Sequence, residues 1–403
     1  MNILWLSHLV PYPPKGGVLQ RSFNLLREIS KNNNIFLLAF NQKAILPTAQ
    51  DIVSACAELK KYCYEIKVIP LPADKSAFSK YKLIFKSLFT KRPYTVNWNI
   101  SRKMKNAVND VIKEFTPNVI HFDTIGMAEY LHHNFPVVLN HHNIESFMML
   151  RRAQKEKNYL KKIYFYQEAH KIELYEKKVC KLFQSNLVVS NEDKCILEKI
   201  VPSAIIDIIP NGVDTSYFAP PDGEPDNDTL VFAGGMNWYP NKDAMLFFAD
   251  EIWPLLKVKR PTIKMVVIGQ SPPQKLTDLS KKDPNFIVAG YVDDVRPFFN
   301  RATIYVCPIR DGGGTRLKIL DALASCKPIV ATSIAVEGIK VTPGENVLIA
   351  NTPEEFAEEI LYLVENPERR KQLSTSGRIL AESLYEWSSI GNRLNQLYNI
   401  LIN

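Results

Sequence analysis

Six cysteines are spread over 403 residues, at positions 56, 63, 180, 195, 307 and 326, with no CxxC pair among them. They lack the density of a disulfide framework and read as scattered reduced thiols. No His, Cys or carboxylate group shows metal-ligand spacing, so no metal is expected. No apolar run approaches the roughly 20 residues of a membrane span. The opening MNILWLSHLV is apolar but too short for a signal segment. Together these absences point to a cytoplasmic chain that meets a membrane only peripherally. GxGxxG and the Walker loop are missing, which argues against ordinary dinucleotide and P-loop nucleotide sites. There is no solenoid repeat and no low-complexity tract.

What is present is an ordinary globular composition, 46% hydrophobic and 23% charged, in a chain long enough for two domains. The net charge of +8 is unevenly placed. Residues 1–210 carry 30 Lys and Arg against 18 Asp and Glu, whereas residues 211–403 carry 20 against 24. The basic half therefore calls for an anionic partner.

Short apolar runs alternate with helical patterns, the signature of βα units with parallel sheets. Strands are expected at 2–7, 34–40, 65–70, 119–122, 137–140 and 186–189. A second series is expected at 230–233, 263–268, 286–289, 304–308 and 328–332. The stretch between the series is rich in Pro, Asp and Asn and reads as a linker. The expected architecture is α/β: two tandem Rossmann-like, doubly wound domains facing a cleft. The first spans 1–208 and the second 229–380, joined by a linker at 209–228. A C-terminal helix within 381–403 is expected to cross back to the first domain.

Three glycine turns each lie between a predicted strand and a helix: Gly16-Gly17, Gly234-Gly235, and RDGGGTRLKILDALASCKPIVAT from Arg310 onward. Such a turn presents bare N–H groups and the positive end of a helix dipole to an anion. Arg316 and Lys318 add formal charge to the third, and Arg grips phosphate bidentately. One turn alone is usually structural; three with nearby cations suggest phosphate binding. Asp321, on the following helix, is either a solvated helix acid or a partner for two sugar hydroxyls of a nucleotide.

These features, with IPNGVDTSYF (209–218), VFAGGMNWYPNKDAMLFF (231–248), GGGTRLKILDALASCKPIVAT (312–332), HHNIES (141–146), LVVSNEDK (187–194) and VEGI (336–339), resemble the retaining, GT-B-fold, family-four-like glycosyltransferases, the group 1 glycosyl transferases. The resemblance runs over nearly the whole chain. It implies a C-terminal domain that binds a UDP- or GDP-sugar as co-substrate, with no separate cofactor. In its terms Gly235, Lys242, Gly313, Gly314, Thr315, Arg316 and Lys318 hold the diphosphate, and Asp321 the ribose. Asp311 is the nearest match to the acid that holds the donor sugar. Both acids are Asp where the family has Glu, and nine residues separate them rather than seven. The family's Arg in the first glycine turn of this domain is absent. In the N-terminal domain Gly16 and Gly17 match the turn that approaches the donor phosphates. His121, Asp123 and His142 are the candidates to face the reacting centre, although a single His is more often structural.

The implied reaction is metal-independent, retaining transfer of a sugar to a glycan or lipid-linked acceptor, with a role in surface polysaccharide biosynthesis. A nucleotide-sugar epimerase, or a membrane-associated scaffold with a residual donor site, stays open beside it. Asp226-Asn227-Asp228 is a DxD but sits in the linker rather than at a strand end. Residues 75–105 hold nine Lys or Arg and no acid, with Phe78, Tyr81, Phe85 and Phe89 at helical spacing. This stretch either docks on an anionic membrane surface, such as the inner face of the plasma membrane, or packs its aromatics on its own domain. Nucleic acid is not an expected partner.

Overall fold

The first strand, NILWLS, is buried at every position after Asn2. A run with no polar alternation needs cover on both faces, which a central strand of a parallel sheet receives. The computed structural model describes residues 1–74, 76–220 and 223–402; Lys75 of the basic stretch, residues 221 and 222 of the linker stretch and Asn403 lie outside the described residues. The chain divides into two units, Met1–Pro210 joined by Trp387–Asn403, and Asn211–Glu386.

The first unit holds seven strands: β1 (Asn2–Ser7), β2 (Asn34–Asn41), β3 (Glu65–Pro70), β4 (Val119–Phe122), β5 (Val137–Asn140), β6 (Ser185–Val188) and β7 (Ile206–Ile208). They lie in the order β3-β2-β1-β4-β5-β6-β7 and all pair in parallel. The second unit holds β8 (Thr229–Ala233), β9 (Lys264–Ile268), β10 (Phe286–Gly290), β11 (Ile304–Cys307), β12 (Ile329–Ala331) and β13 (Leu348–Ile349). Its order is β10-β9-β8-β11-β12-β13, again parallel. Both are doubly wound sheets whose strand order reverses beside their first strand, between β1 and β4 and between β8 and β11. Ligands of such sheets sit beyond the carboxyl ends of strands at that reversal.

Two strands, β7 and β13, were not expected from the sequence; at three and two residues they are too short to carry a periodic signal. The Pro-rich stretch folds onto the second unit from Asn211: Val213 donates its N–H to the Tyr385 carbonyl at 2.7 Å, and Phe218 is buried. Asp226 and Asp228 are engaged by Arg301 and Arg260, each at 2.8 Å.

The helix Trp387–Ile402 belongs to the first unit and packs on the helix Gly17–Ile29. Gly391 lies so close to Glu28 that a Cβ there would collide with the Glu28 side chain. Tyr398, fully buried, bonds through its hydroxyl to His121 Nδ1 at 2.7 Å. Gly391→Val should therefore overpack this joint and destabilise the first unit by about 1–3 kcal/mol, a fall of several degrees in its melting transition by scanning calorimetry. An unchanged transition would show that this contact does not hold the unit.

Candidate functional site

Both strand-order reversals carry polar constellations. In the second unit, β8 ends in Gly234-Gly235 and the helix Leu317–Ala324 follows β11 through the triple-glycine turn. These two turns meet at one ammonium group. Lys318 Nζ donates to Asn241 Oδ1 at 2.6 Å and lies 4.4 Å from the centre of the Phe232 ring. Asn241 in turn donates to the Gly235 carbonyl at 2.8 Å. A Cβ at Gly234 would strike both Lys318 Nζ and Asn241, so a side chain there would have to displace them. Burial pulls the Lys318 ammonium down to about 8 and pushes the Asp321 carboxyl, one turn along the same helix, up to about 7.

The turn itself needs glycine for its backbone: Gly312 and Gly314 have φ of 111° and 72°. Arg316 is the residue before the helix and bonds through Nη1 to the Gly314 carbonyl. A Cβ on Gly312 would approach Arg316 Nη2 to 3.4 Å and Pro240 to 3.3 Å, which places Arg316 against the start of the helix Tyr239–Phe247. Gly313 and Thr315 are part-exposed in the same turn, and Lys242 is exposed in the first turn of the helix Tyr239–Phe247. Asp311, at the entry of the turn, accepts the Gly312 N–H through Oδ1. Arg316, Lys318, Gly234 and Gly235 thus form one cationic, glycine-lined corner.

In the first unit, Asp123 lies just past β4, fully buried. Its oxygens accept from Ser7 Oγ at 3.0 Å and from Ser22 Oγ at 3.0 and 2.9 Å, and Asn140 Nδ2 lies at 3.4 Å. His142 Nε2 lies 3.4 Å and His8 Nδ1 3.7 Å from the carboxylate. Burial opposes ionisation, but the neighbouring imidazoles, His142 foremost, hold the carboxyl down to about 2. Arg21, also buried, donates to Asn140 Oδ1 at 2.9 Å, to the Ile209 carbonyl at 2.8 Å and to the Pro210 carbonyl at 2.9 Å.

Asp123 and His142 therefore come together, whereas His121 does not join them. Its ring is fully buried, stacked 3.7 Å from Trp5, and burial lowers it to about 3. It is a core residue one strand step below Asp123. His8, Ser22, Arg21 and Asn140 are the members that sequence reasoning missed. His8 follows β1 directly, the position that the strand-end rule marks. Gly16, with φ of 109°, and Gly17 open the helix that carries Arg21 and Ser22. Among the described residues no group of three His, Cys, Asp or Glu is arranged to hold a metal ion.

Asp321 yields a pH-dependent prediction. An unfolded Asp loses its proton near 4, the folded one near 7, so folding disfavours ionisation and stability falls as pH rises through that window. Asp321→Asn, which resembles the neutral acid, should gain more melting temperature over the parent at about pH 8 than at about pH 5. An equal difference at both pH values would refute the raised pKa.

Two family models match the chain, Glycosyltransferase Family 4 over residues 52–217 and Glycosyl transferases group 1 over residues 227–366. An uncharacterized 44.6 kDa protein in the cps region of Klebsiella pneumoniae is 24% identical over 259 residues, 62% of this chain and 65% of that protein. The curated relatives are matched over 38% to 65% of their own length. Among solved structures, sucrose-phosphate synthase from Thermosynechococcus elongatus superposes with a TM-score of 0.71 at 15% identity, over 100% of this chain and 99% of that one. HepE of Anabaena, solved in complex with UDP, gives 0.64 at 12% identity, over 99% and 100%. The paired α/β units match this fold, and the two family models follow one another along them. The chain belongs to the group 1 glycosyltransferases of GT-B fold.

Proposed function

We propose that the protein transfers a sugar, a hexose, from a UDP- or GDP-sugar to a glycan or lipid-linked acceptor, with retention at the anomeric carbon. The observation that carries this reading is the corner where Arg316, Lys318 and the Gly234-Gly235 turn converge. The second unit is the donor side. Its glycine turns and two cations suit a diphosphate, Asp321 suits the ribose hydroxyls and Asp311 the sugar. Gly313, Gly314, Thr315 and Lys242 complete the cradle, and Gly16-Gly17 of the first unit is a second phosphate-facing turn. HepE binds UDP on the same fold, which supports a uridine donor without selecting it.

In the reaction the bond from the anomeric carbon to the phosphate oxygen breaks and the acceptor oxygen bonds on the same face. The acceptor proton passes to the departing phosphate. Charge grows on phosphate oxygens, and groups fixed to meet it lower the barrier. Arg316 and Lys318 supply that charge, so activity is expected to survive a strong chelator. The relative from a cps region is consistent with work on a surface polysaccharide.

The first unit is the acceptor side, and its basic stretch is the proposed contact with an anionic membrane, the cytoplasmic inner face of the plasma membrane. The helix Ala77–Leu88 carries Phe78, Tyr81 and Phe85, with Phe89 just after it, exposed at 77, 72, 64 and 77%. Lys82, Lys86, Lys91 and Arg92 stand among them. The aromatic stripe thus faces outward, the arrangement that an interfacial helix needs. The helix Tyr159–Val179 exposes Tyr159 and Leu160 beside Lys161 and Lys162, and Gln167 of that helix bonds to the Leu88 carbonyl at 3.0 Å. No described helix is long and apolar enough to cross a membrane.

Thermal-shift measurements against UDP-, GDP- and ADP-sugars test the donor reading. One nucleotide should stabilise the protein, and Arg316→Ala should weaken that response by about 10- to 100-fold; silence toward every donor would refute it. For the membrane contact, phosphatidylglycerol-containing vesicles should co-sediment the protein and pure phosphatidylcholine vesicles should not. A Phe78→Ser, Phe85→Ser, Phe89→Ser variant should stay in the supernatant, and equal sedimentation of variant and parent would exclude this surface.

A further inference from the structure

The stretch RDGGGTRLK carries a third cation beside Arg316 and Lys318. Arg310 lies just past β11, ahead of the triple-glycine turn. Its guanidinium is spent on the protein. Nε donates to Asp243 Oδ2 at 3.2 Å and Nη2 to Asp243 Oδ1 at 3.1 Å, a two-pronged grip on one carboxylate. Its central carbon lies 4.0 Å from the centre of the buried Phe247 ring. A single surface ion pair contributes little. Two bonds and an aromatic face give this one a fixed geometry, which a lysine could not reproduce.

Asp243 and Phe247 belong to the helix Tyr239–Phe247, which follows β8 through Gly234-Gly235. The grip therefore joins the segment after β11 to the helix after β8. Two more contacts lie along the same seam. Pro240 stands so near Gly312 that a Cβ there would come within 3.3 Å of it, and Asn241 receives Lys318 Nζ at 2.6 Å. Asn241 and Asp243 share one short helix, so whatever fixes the carboxylate also fixes the oxygen that orients Lys318. That helix start has no side-chain cap and no acid in its first turn. Asp243 is the first acid along it, and without Arg310 its charge would oppose an incoming anion.

We infer that Arg310 is a positioning residue of the cationic corner: it clamps the helix Tyr239–Phe247 to the triple-glycine turn through Asp243 and Phe247, and thereby sets Asn241 and Lys318 for an anion that it does not itself touch. That the anion is a nucleoside diphosphate rests on the reading above; the clamp does not.

Hydrogen exchange and calorimetric titration with UDP and with GDP, both on the full chain, test this. Arg310→Ala and Asp243→Asn should each speed amide exchange in residues 236–243 and 311–318 and leave the first unit unchanged. Each should weaken nucleotide binding about five- to ten-fold, and the double variant should weaken it no further than either alone. Arg310→Lys, which can keep one bond of the two, should recover part of the loss. Asp243→Asn keeps the size of its side chain, so it carries the test if Arg310→Ala fails to fold. Unchanged exchange in both segments would overturn the clamp, and so would losses that add in the double variant. Affinity that falls only in step with the melting temperature of the free protein is general destabilisation and would overturn it too. If neither nucleotide binds the parent, the transfer reading falls and exchange alone decides the clamp. Nucleotide binding that is equal in parent and variants refutes the clamp alone.

Discussion

A charge taken wholly out of water must be met on every side or it will not remain a charge. Asp123 is such a charge, and the ends of β1, β4 and β5 are arranged around it. Ser7 and Ser22 supply hydroxyls, Asn140 an amide, and His8 and His142 their rings. Arg21 balances the carboxylate from nearby and ties Asn140 to the carbonyls where the chain leaves the first unit. The imidazoles come from the strand ends on either side of the carboxylate, past β1 and β5.

The second unit solves the opposite problem. Its cation, Lys318, is crowded rather than surrounded: an aromatic ring lies on one side and a glycine turn on another, and one amide oxygen accepts from it. A cation so sparsely compensated is readily satisfied by an incoming anion, and burial has already weakened its hold on its proton. The absent side chain of Gly234 is what makes the space. A glycine pair that looks like a flexible turn in the sequence leaves the room that Lys318 and Asn241 occupy.

Most strands were legible because buried parallel strands are written as continuous apolar runs, and LWL, FLLAF and KMVVI could hardly be anything else. The two that escaped, β7 and β13, are edge strands too brief to show a pattern. The cationic corner was legible as a cluster because glycine, arginine and lysine lie within a few residues of one another. The first unit's site was not, since its members are spread from Ser7 to His142 and only parallel pairing brings them together. Alternation puts His121 and Asp123 on one side of β4 but cannot say which of the two meets the imidazoles of His8 and His142. The basic helix showed its two faces in the sequence, yet which of them turns outward is decided by the packing of Leu88 and Ser87 on the neighbouring helix.

The helix Trp387–Ile402 gives the two units different histories. The chain is made from its N-terminus, and all of residues 211–386 emerge before the helix that completes the first unit. The second unit can therefore close while it is being synthesised. The first must wait with the His121 ring and the groove beside Gly17–Ile29 uncovered until Tyr398 arrives. Domains usually fold in the order in which they are made. Here the order of completion is reversed, and the half exposed longest is the one with the surplus of lysine and arginine. That charge keeps the waiting chains apart.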